Sequence, residues 1–476
     1  MNKINSLLPY IEQLTKEDLG IKKRILNVLG LDIYILYIPE ITNRELLSKN
    51  IIEPLLNYNG PGVTIDSIVS SIIYVDDVHV IFNHQEILQY ILKGYSIILS
   101  LSEDKYIVAN TLKIEKRNVD NPHVEEALRS PRDSFTENLE TNLSLIRYRI
   151  KDDNLRIYKT LVGRRTKTTV AVVYLKDVAN DEYVDTIKET LNKIDVDGVL
   201  NSGVLQKLLT DNTQNFFPQI GVAERSDAAC SNILIGKICI LVEGGNLSLI
   251  LPQVFLEFFD SSDSYSETFY FSIFIKLVTI VSLFITLALP SLYIAVTSFH
   301  SDILPPQYIL ILASTRTTVP VNSFIETFLM EFISEILKEA SLRLPKQIGP
   351  TISIVGTIVL GQASVSAGLI SPLLLIIISI SVMTSFMAPD NSITSSIRVI
   401  KFLPIIATGT LGLYGFILSL SFIVMLLTST KSLDVPYTAP LAPFEPVDLK
   451  DYFLSDIRSY KKRPLFTGAK NKKRKD

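Results

Sequence analysis

From residue 347 to residue 389 the chain carries no charged side chain and no histidine. One bilayer crossing needs ~20 apolar residues, so this run is too long for a single span. Its first half is rich in Gly, Ser and Ala, and its second half is mostly Ile and Leu. Gly368 and the Ser371-Pro372 pair fall near the middle and divide it into two short spans, 349–369 and 372–388. Leu277–Phe299 is charge-free and long enough for another crossing, with Lys276 placed to snorkel at its end. Residues 402–430 supply a fourth. All the long apolar runs lie after residue 268, while charged residues crowd the first half.

The ends of the chain bear on orientation. The first 26 residues have charges every few positions and no apolar core, so they do not read as a signal peptide, and the region they open is expected in the cytoplasm. Residues 461–476 hold eight Lys or Arg and one acid, a cytoplasmic mark. Both ends on one side requires an even number of crossings. Arg316, Lys338, Arg343, Lys346, Arg398 and Lys401 then fall in outward loops, which runs against the charge rule. Between the first two spans, residues 321–344 place apolar side chains three and four apart, from Val321 through Phe324, Phe328, Phe332 and Ile336 to Leu344. The opposite face carries Glu326, Glu331, Glu335, Lys338, Glu339 and Arg343. Such an amphipathic helix lies in the interface plane or packs across a partner's spans.

The charged N-terminal half reads as an α/β (α+β) region of two subdomains, 1–120 and 136–265, joined by a linker at 121–135, followed by a membrane domain at 268–430 and a basic tail at 431–476. Residues 1–30 look helical. "LDIYILYI" (31–38), "IIYV" (72–75) and "HVIF" (79–82) read as strands. Helices are expected at 42–56, capped by Thr42 or Asn43, and at 83–94, between Asn83 and Gly94. A strand pair turns at 102–105. In the second subdomain a helix covers 136–150, a hairpin flanks "RRTK" (164–167), Asn180 caps a helix to 194, and a second hairpin turns at Gly244-Gly245.

Few residues in the sequence are arranged for chemistry. The four histidines, His79, His84, His123 and His300, have no metal-ligand spacing and no nucleophile partner. No Walker-type phosphate loop is present. "GVAERSD" (221–227) and "VEGGN" (242–246) read as turns and hairpin tips. Cys230 and Cys239 read as reduced, buried, small apolar residues. A formal net charge of −3 argues against nucleic-acid binding. No enzyme activity, metal or cofactor is expected.

The small-residue half is more informative. Gly349, Gly356, Gly361, Ala363, Ser364, Ser366, Ala367 and Gly368 permit close helix approach. One reading is tight helix packing. The other is a homo-oligomer whose central helix shows small and hydroxyl side chains to a pore, with an apolar ring at Val355, Val359 or Val365 gating by dewetting. Glu326, Glu331 and Glu335 then form acidic rings at a vestibule, against the alternative of a solvated helix face.

Five segments carry a resemblance: "SPRDSFTENLETNLSLIRYRI" (130–150), "FPQIGVAERSDAA" (217–229), "LPSLYIAVTSFHSDILP" (289–305), "EFISEILKEASLRLPKQIGPTISIVGTIVLGQASVSAGLISP" (331–372) and "PYTAPLAPF" (436–444). Over about residues 30–465 the chain resembles the GerA family of spore germination proteins, A subunits of nutrient germinant receptors. The resemblance implies a multi-pass subunit in the inner membrane of a bacterial endospore, with cytoplasmic termini. It implies a B subunit, transporter-like and nutrient-binding, and a C subunit, a lipoprotein, as partners. It also implies an oligomeric channel that releases monovalent cations. Arg132, Asp133, Glu137 and Asn142 match the family pattern and are expected at a subdomain or subunit contact. Ser134 stands where the family usually has Gly, Ser226 where it has Pro, and "VEGGN" replaces an Asp-Gly-x-Pro hairpin, so Glu243 and Asp227 gain no shared role. The alternative is a non-conducting scaffold that holds the nutrient-binding subunit and passes on its signal. A secondary transporter is disfavoured by the few spans and the absence of a mid-membrane charge.

Overall fold

The computed structural model describes residues 11–12, 15, 18–60, 62–113, 133–210, 215–260, 268–317, 319–341, 343–344, 348–387, 389–454 and 462–474. The first unit is a five-stranded antiparallel sheet in the order β1-β2-β4-β5-β3, with β1 Lys22–Val28, β2 Leu31–Tyr37, β3 Val78–Ile81, β4 Tyr95–Ser100 and β5 Tyr106–Asn110. Its core explains why "LDIYILYI" is apolar without alternation. Ile33 and Ile35 face helices α1 (44–56) and α2 (65–72), while Tyr34 and Leu36 face α3 Ile87–Leu92. Both faces of the sheet are covered.

Two expectations fail here. Residues 22–28 form an edge strand, not a helix, because Ile25 and Leu26 register against Tyr34 and Ile33. "IIYV" is not a strand. Ile65, Ile68 and Ile72 lie three and four apart and close as a helix on the sheet, started by a reciprocal Thr64–Ser67 capping box. The Asn43 cap forms as expected, its side chain accepting from Glu45 N and Leu46 N.

The second unit repeats the layering. Strands β6 Leu155–Val162, β7 Thr168–Leu175, β8 Gly221–Ala223, β9 Ile238–Val242 and β10 Ser248–Leu251 form an antiparallel sheet in the order β6-β7-β9-β10-β8. Helices α4 Leu139–Arg149 and α7 Ser226–Leu234 cover one face. Helices α5 Asp181–Lys193 and α6 Ser202–Leu209 cover the other. Both expected hairpins are present, the second turning at Gly244 with φ +78°. "GVAERSD" is a strand running into a helix, not a turn. Cys230 and Cys239 sit in one core cluster as free thiols; burial pushes Cys230 up to about 12 and Cys239 upward as well, which keeps both protonated.

The remaining helices are α8 Phe269–Ile294, α9 Pro306–Arg316, α10 Ser323–Ser341, α11 Gly349–Ser366, α12 Pro372–Thr384, α13 Asn391–Ile400, α14 Phe402–Ser429 and α15 Pro446–Leu454. Among the described residues, two stretches, Phe269–Phe299 and Asn391–Ser429, are long and apolar enough to cross a bilayer. Thr351–Ser366 and Pro372–Thr384 are apolar but shorter. At 1.5 Å per residue α12 reaches about 20 Å, short of the ~30 Å hydrocarbon core. The four expected spans are therefore two helices of crossing length and two shorter ones. Helix α14 breaks at Gly412, where φ is +61° and a β-carbon would lie 2.8 Å from the ring of Phe299.

Lys276 does not snorkel. It is 1% exposed and pairs with Asp260 at 2.6 Å. The described parts of the basic tail pack on the second unit. Residues 431–436 form a two-stranded hairpin (β11 and β12) whose Ser432 Oγ donates to the Gln219 carbonyl at 2.6 Å. Ala469 enters the core of the second unit and Lys470 pairs with Asp181 at 2.5 Å.

Candidate functional site

Two segments ninety residues apart in sequence meet in the second unit. Ser134 bridges Arg225 in antiparallel fashion, and Phe135 N donates to the Glu224 carbonyl at 2.7 Å. Arg149 Nη2 lies 2.7 and 2.6 Å from the two oxygens of Asp133. Ser226 Oγ donates to Asp133 Oδ2 at 2.6 Å and accepts from Arg149 Nε at 2.8 Å. Burial opposes ionisation of Asp133, but the Ser226 hydroxyl and the Arg149 guanidinium outweigh it and hold the carboxyl below its usual range. Asn142 is fully buried and closes on Thr136, accepting from its N–H at 2.7 Å and donating to its carbonyl at 2.6 Å. The exposed Glu137 offers its carbonyl to Gly244 N at 2.9 Å. Arg132 lies outside the described residues.

These contacts of Asp133, Glu137 and Asn142 all join parts of the second unit, so they do not make the junction between the two units. Other residues make it. Lys159 pairs with Glu40 at 2.6 Å, Arg44 pairs with Glu140 at 3.0 Å, Arg147 donates to the Leu19 carbonyl, and Ile157 N donates to the Asp18 carbonyl at 2.8 Å. Burial raises the cost of the Glu40 charge, yet Arg147 and Lys159 beside it hold the carboxyl low.

In the helical region α10 is turned inside out relative to a water-soluble helix. Ile325, Leu329, Phe332 and Ile336, spaced four, three and four, are 49–54% exposed. Glu326, Thr327, Glu331, Ser334 and Lys338 face inward. Neither a vestibule nor a solvated face describes the three acids in the protomer. Glu331 pairs with Lys401 at 2.5 Å, and Glu335 pairs with Lys401 at 2.6 Å and Arg398 at 2.7 Å. Glu326 accepts from Ser371 N and lies 3.6 Å from Arg316. Arg398 also reaches Glu339, and Lys338 donates to Ser385 Oγ. Carboxylates of α10 thus meet cations at the α13–α14 junction. Buried charges persist only when paired in this way. Arg398 and Lys401, expected in an outward loop, are partners of α10, Lys401 buried and Arg398 half-buried. The available signal was a spacing match: acids at 331 and 335, and bases at 398 and 401, each pair on one helical face.

The small-residue helix divides by face. Gly356 packs on Leu337, and a β-carbon on Gly361 would fall 2.1 Å from Leu375 Cδ1. Val365 packs against the cluster of Met330, Ile370 and Leu374. Gly368, with φ +70°, ends α11, and Leu369 N returns to the Ser364 carbonyl at 2.9 Å. The opposite face is open. Ile352, Val355, Val359, Gln362 and Ser366 form a stripe spaced three and four, with Val359 58% exposed, and Ala367 is exposed at its end.

A polar node ties the second unit to α8. Lys237 is buried against Glu257 at 2.6 Å and Gln253 at 2.9 Å. Next to it, Asp260 pairs with Lys276, whose ammonium lies 4.1 Å from the centre of the Tyr452 ring. Burial pushes the Asp260 carboxyl up to about 6, against the pull of Lys276.

A family model described as Bacillus/Clostridium GerA spore germination protein matches residues 5–466. Spore germination protein KA of Bacillus subtilis (strain 168) is 34% identical over 419 residues, 88% of this chain and 77% of that protein. The uncharacterized membrane protein YfkQ of the same organism is 30% identical over 426 residues, 89% of this chain and 83% of that protein. The N-terminal domain of the A subunit of the Bacillus megaterium spore germinant receptor GerK3 is similar at 26% identity, covering 52% of this chain and 94% of that one with a TM-score of 0.38.

Proposed function

Because the chain belongs to the GerA family of spore germination proteins, as the A subunit of a nutrient germinant receptor, we propose that several copies of it together form the path by which monovalent cations leave the spore when nutrient is sensed. The observation that carries this reading is the open stripe of α11. An apolar stretch at Val355 and Val359 gives way to Gln362 and Ser366, on a helix whose other face is already packed. Repeated around an axis, such a stripe makes a narrow pore with an apolar constriction that gates by dewetting.

The exposed apolar face of α10 supports placement in lipid or against another copy, since its polar side is satisfied within the protomer. The docking of 431–436 and 469–470 on the second unit supports both ends of the chain on one side of the spore inner membrane, the cytoplasmic side, and an even number of crossings. In this role the chain works with a nutrient-binding B subunit and a lipoprotein C subunit, and performs no catalysis.

The second reading, a non-conducting scaffold, draws on the intrachain pairing of Glu326, Glu331 and Glu335, which leaves these acids unavailable as cation-attracting rings. Ion flux decides between them. The purified chain is reconstituted in potassium-loaded liposomes, and wild type is compared with Val359→Ala. Leak that grows with the substitution is the expected result. A folded, oligomeric Val359→Ala protein with no leak overturns the channel reading and leaves the scaffold.

A further inference from the structure

The segment "TAPLAPFEPV" (438–447) runs from the β11–β12 hairpin into α15. It is held tightly. Leu441 N and Ala442 N donate to the Thr438 carbonyl at 2.9 and 3.1 Å, Thr438 Oγ1 donates to the Ala442 carbonyl at 2.8 Å, and Glu445 N donates to the Pro440 carbonyl at 2.9 Å. Yet this fixed frame leaves Leu441, Phe444 and Val447 outside, 48%, 68% and 53% exposed. A loop built to hide apolar side chains would turn them inward; this one holds them out.

Its position says what covers them. On one side, Tyr437 is fully buried; its N–H donates to the Thr430 carbonyl at the end of α14, and its own carbonyl accepts from Phe255 N. On the other side, α15 packs on α8, with the Tyr452 carbonyl accepting from Lys276. The loop is therefore bracketed by the ends of the two longest apolar helices on the side of the α/β units. That is the level at which a hydrocarbon core gives way to headgroups. The exposed flank of α8 near this level is apolar as well, through Phe271, Phe274 and Leu277. The chain has no Trp, so Phe and Tyr are its only interfacial aromatics.

We propose that the 438–447 segment is a membrane-interface anchor that inserts Leu441, Phe444 and Val447 into the headgroup–acyl boundary of the bilayer. The proposal rests on the membrane reading given under Proposed function. The charge around the loop, Glu445, Asp448, Lys450 and Asp451, is not basic, so insertion is driven by apolar area and does not depend on anionic lipid or on salt.

The absence of Trp supplies the test. The full-length chain is prepared as single-Trp variants Phe444→Trp, Val447→Trp, Phe274→Trp and Tyr74→Trp, and reconstituted in phosphatidylcholine nanodiscs with bromine on the acyl chains. Phe274→Trp reports the lipid-facing flank of α8. Tyr74→Trp, on the exposed surface of the first unit, reports water. The expected result is loss of most of the indole emission in Phe444→Trp, Val447→Trp and Phe274→Trp and no loss in Tyr74→Trp, unchanged by high salt. Quenching of Phe274→Trp without quenching at 444 or 447 overturns the anchor while leaving the membrane reading standing. Acrylamide then separates a loop in water from one covered by a second copy of the chain. No bromine quenching of Phe274→Trp overturns the membrane reading and the anchor with it. Val447→Trp keeps the test decisive if Phe444→Trp does not fold.

Discussion

Lys401 sets its ammonium 2.5 Å from Glu331 Oε2 with both side chains closed to solvent. The two residues are 70 positions apart in sequence, and the pair joins α10 to the start of α14. Removing one partner leaves an unpaired charge in a low-dielectric interior, which costs about 3–5 kcal/mol, whereas replacing both with apolar groups of similar volume costs far less. Lys401→Met is therefore expected to destabilise strongly, and Lys401→Met combined with Glu331→Leu to recover most of the loss. Thermal unfolding of the four members of the cycle in detergent checks this. Additive losses would mean that the two groups are not coupled.

Asp260 makes stability depend on pH. Its carboxyl is raised from 3.8 to about 6 by burial, only partly offset by Lys276. Lys237, Glu257 and Tyr452 also face it. A raised acid favours the folded state while protonated. Its contribution is full below about pH 4 and is lost as the pH climbs through 6, by up to about 3 kcal/mol. Asp260→Asn is expected to flatten the difference between pH 4 and pH 7 in the unfolding midpoint. An unchanged pH slope in that variant would assign the effect elsewhere.

The glycines of α11 are not equivalent. Gly356 sees only ordinary contact, 3.6 Å from Leu337, so Gly356→Ala is expected to change stability by no more than about 0.5 kcal/mol. Gly361 lies directly under Leu375, and Gly361→Val is expected to cost about 1–3 kcal/mol by overpacking. Val365 packs in the same bundle, so Val365→Ala is expected to lower stability without opening an ion path, in contrast to Val359→Ala. Melting curves and liposome flux on the same preparations separate the two effects.

Ser226 occupies the first position of α7 and bridges Asp133 to Arg149. Ser226→Ala removes the bridge and is expected to cost about 1 kcal/mol. Ser226→Pro also loses the hydroxyl, but proline fits the first turn of a helix and reduces the freedom of the unfolded chain. It is expected to be less costly than the alanine variant. Chemical denaturation of both variants ranks them.

Much of the architecture was legible in local patterns. The Asn43 and Asn180 caps, both hairpins of the second unit and the break between α11 and α12 at Gly368 and Ser371-Pro372 all depend on side chains acting within a few residues of themselves. The misread segments failed where a distant partner outweighed local propensity. Lys22–Val28 is a strand because β2 lies beside it, and Ile65, Ile68 and Ile72 follow helical spacing because a sheet face waits beneath them.

By itself the sequence determined that a charged two-unit region precedes an apolar helical one, that α10 has two unlike faces, and that α11 carries small residues. It did not determine which face of α10 points inward. Periodicity separates an apolar face from a polar one but does not say which one is buried, because that depends on the surroundings and on what pairs with the charges. The tertiary structure decided it by bringing Arg398 and Lys401 onto Glu331 and Glu335, which lets the polar face close and leaves the apolar face outside. The same long-range packing buried Gly361 of α11 under Leu375 and left Val355 and Val359 open.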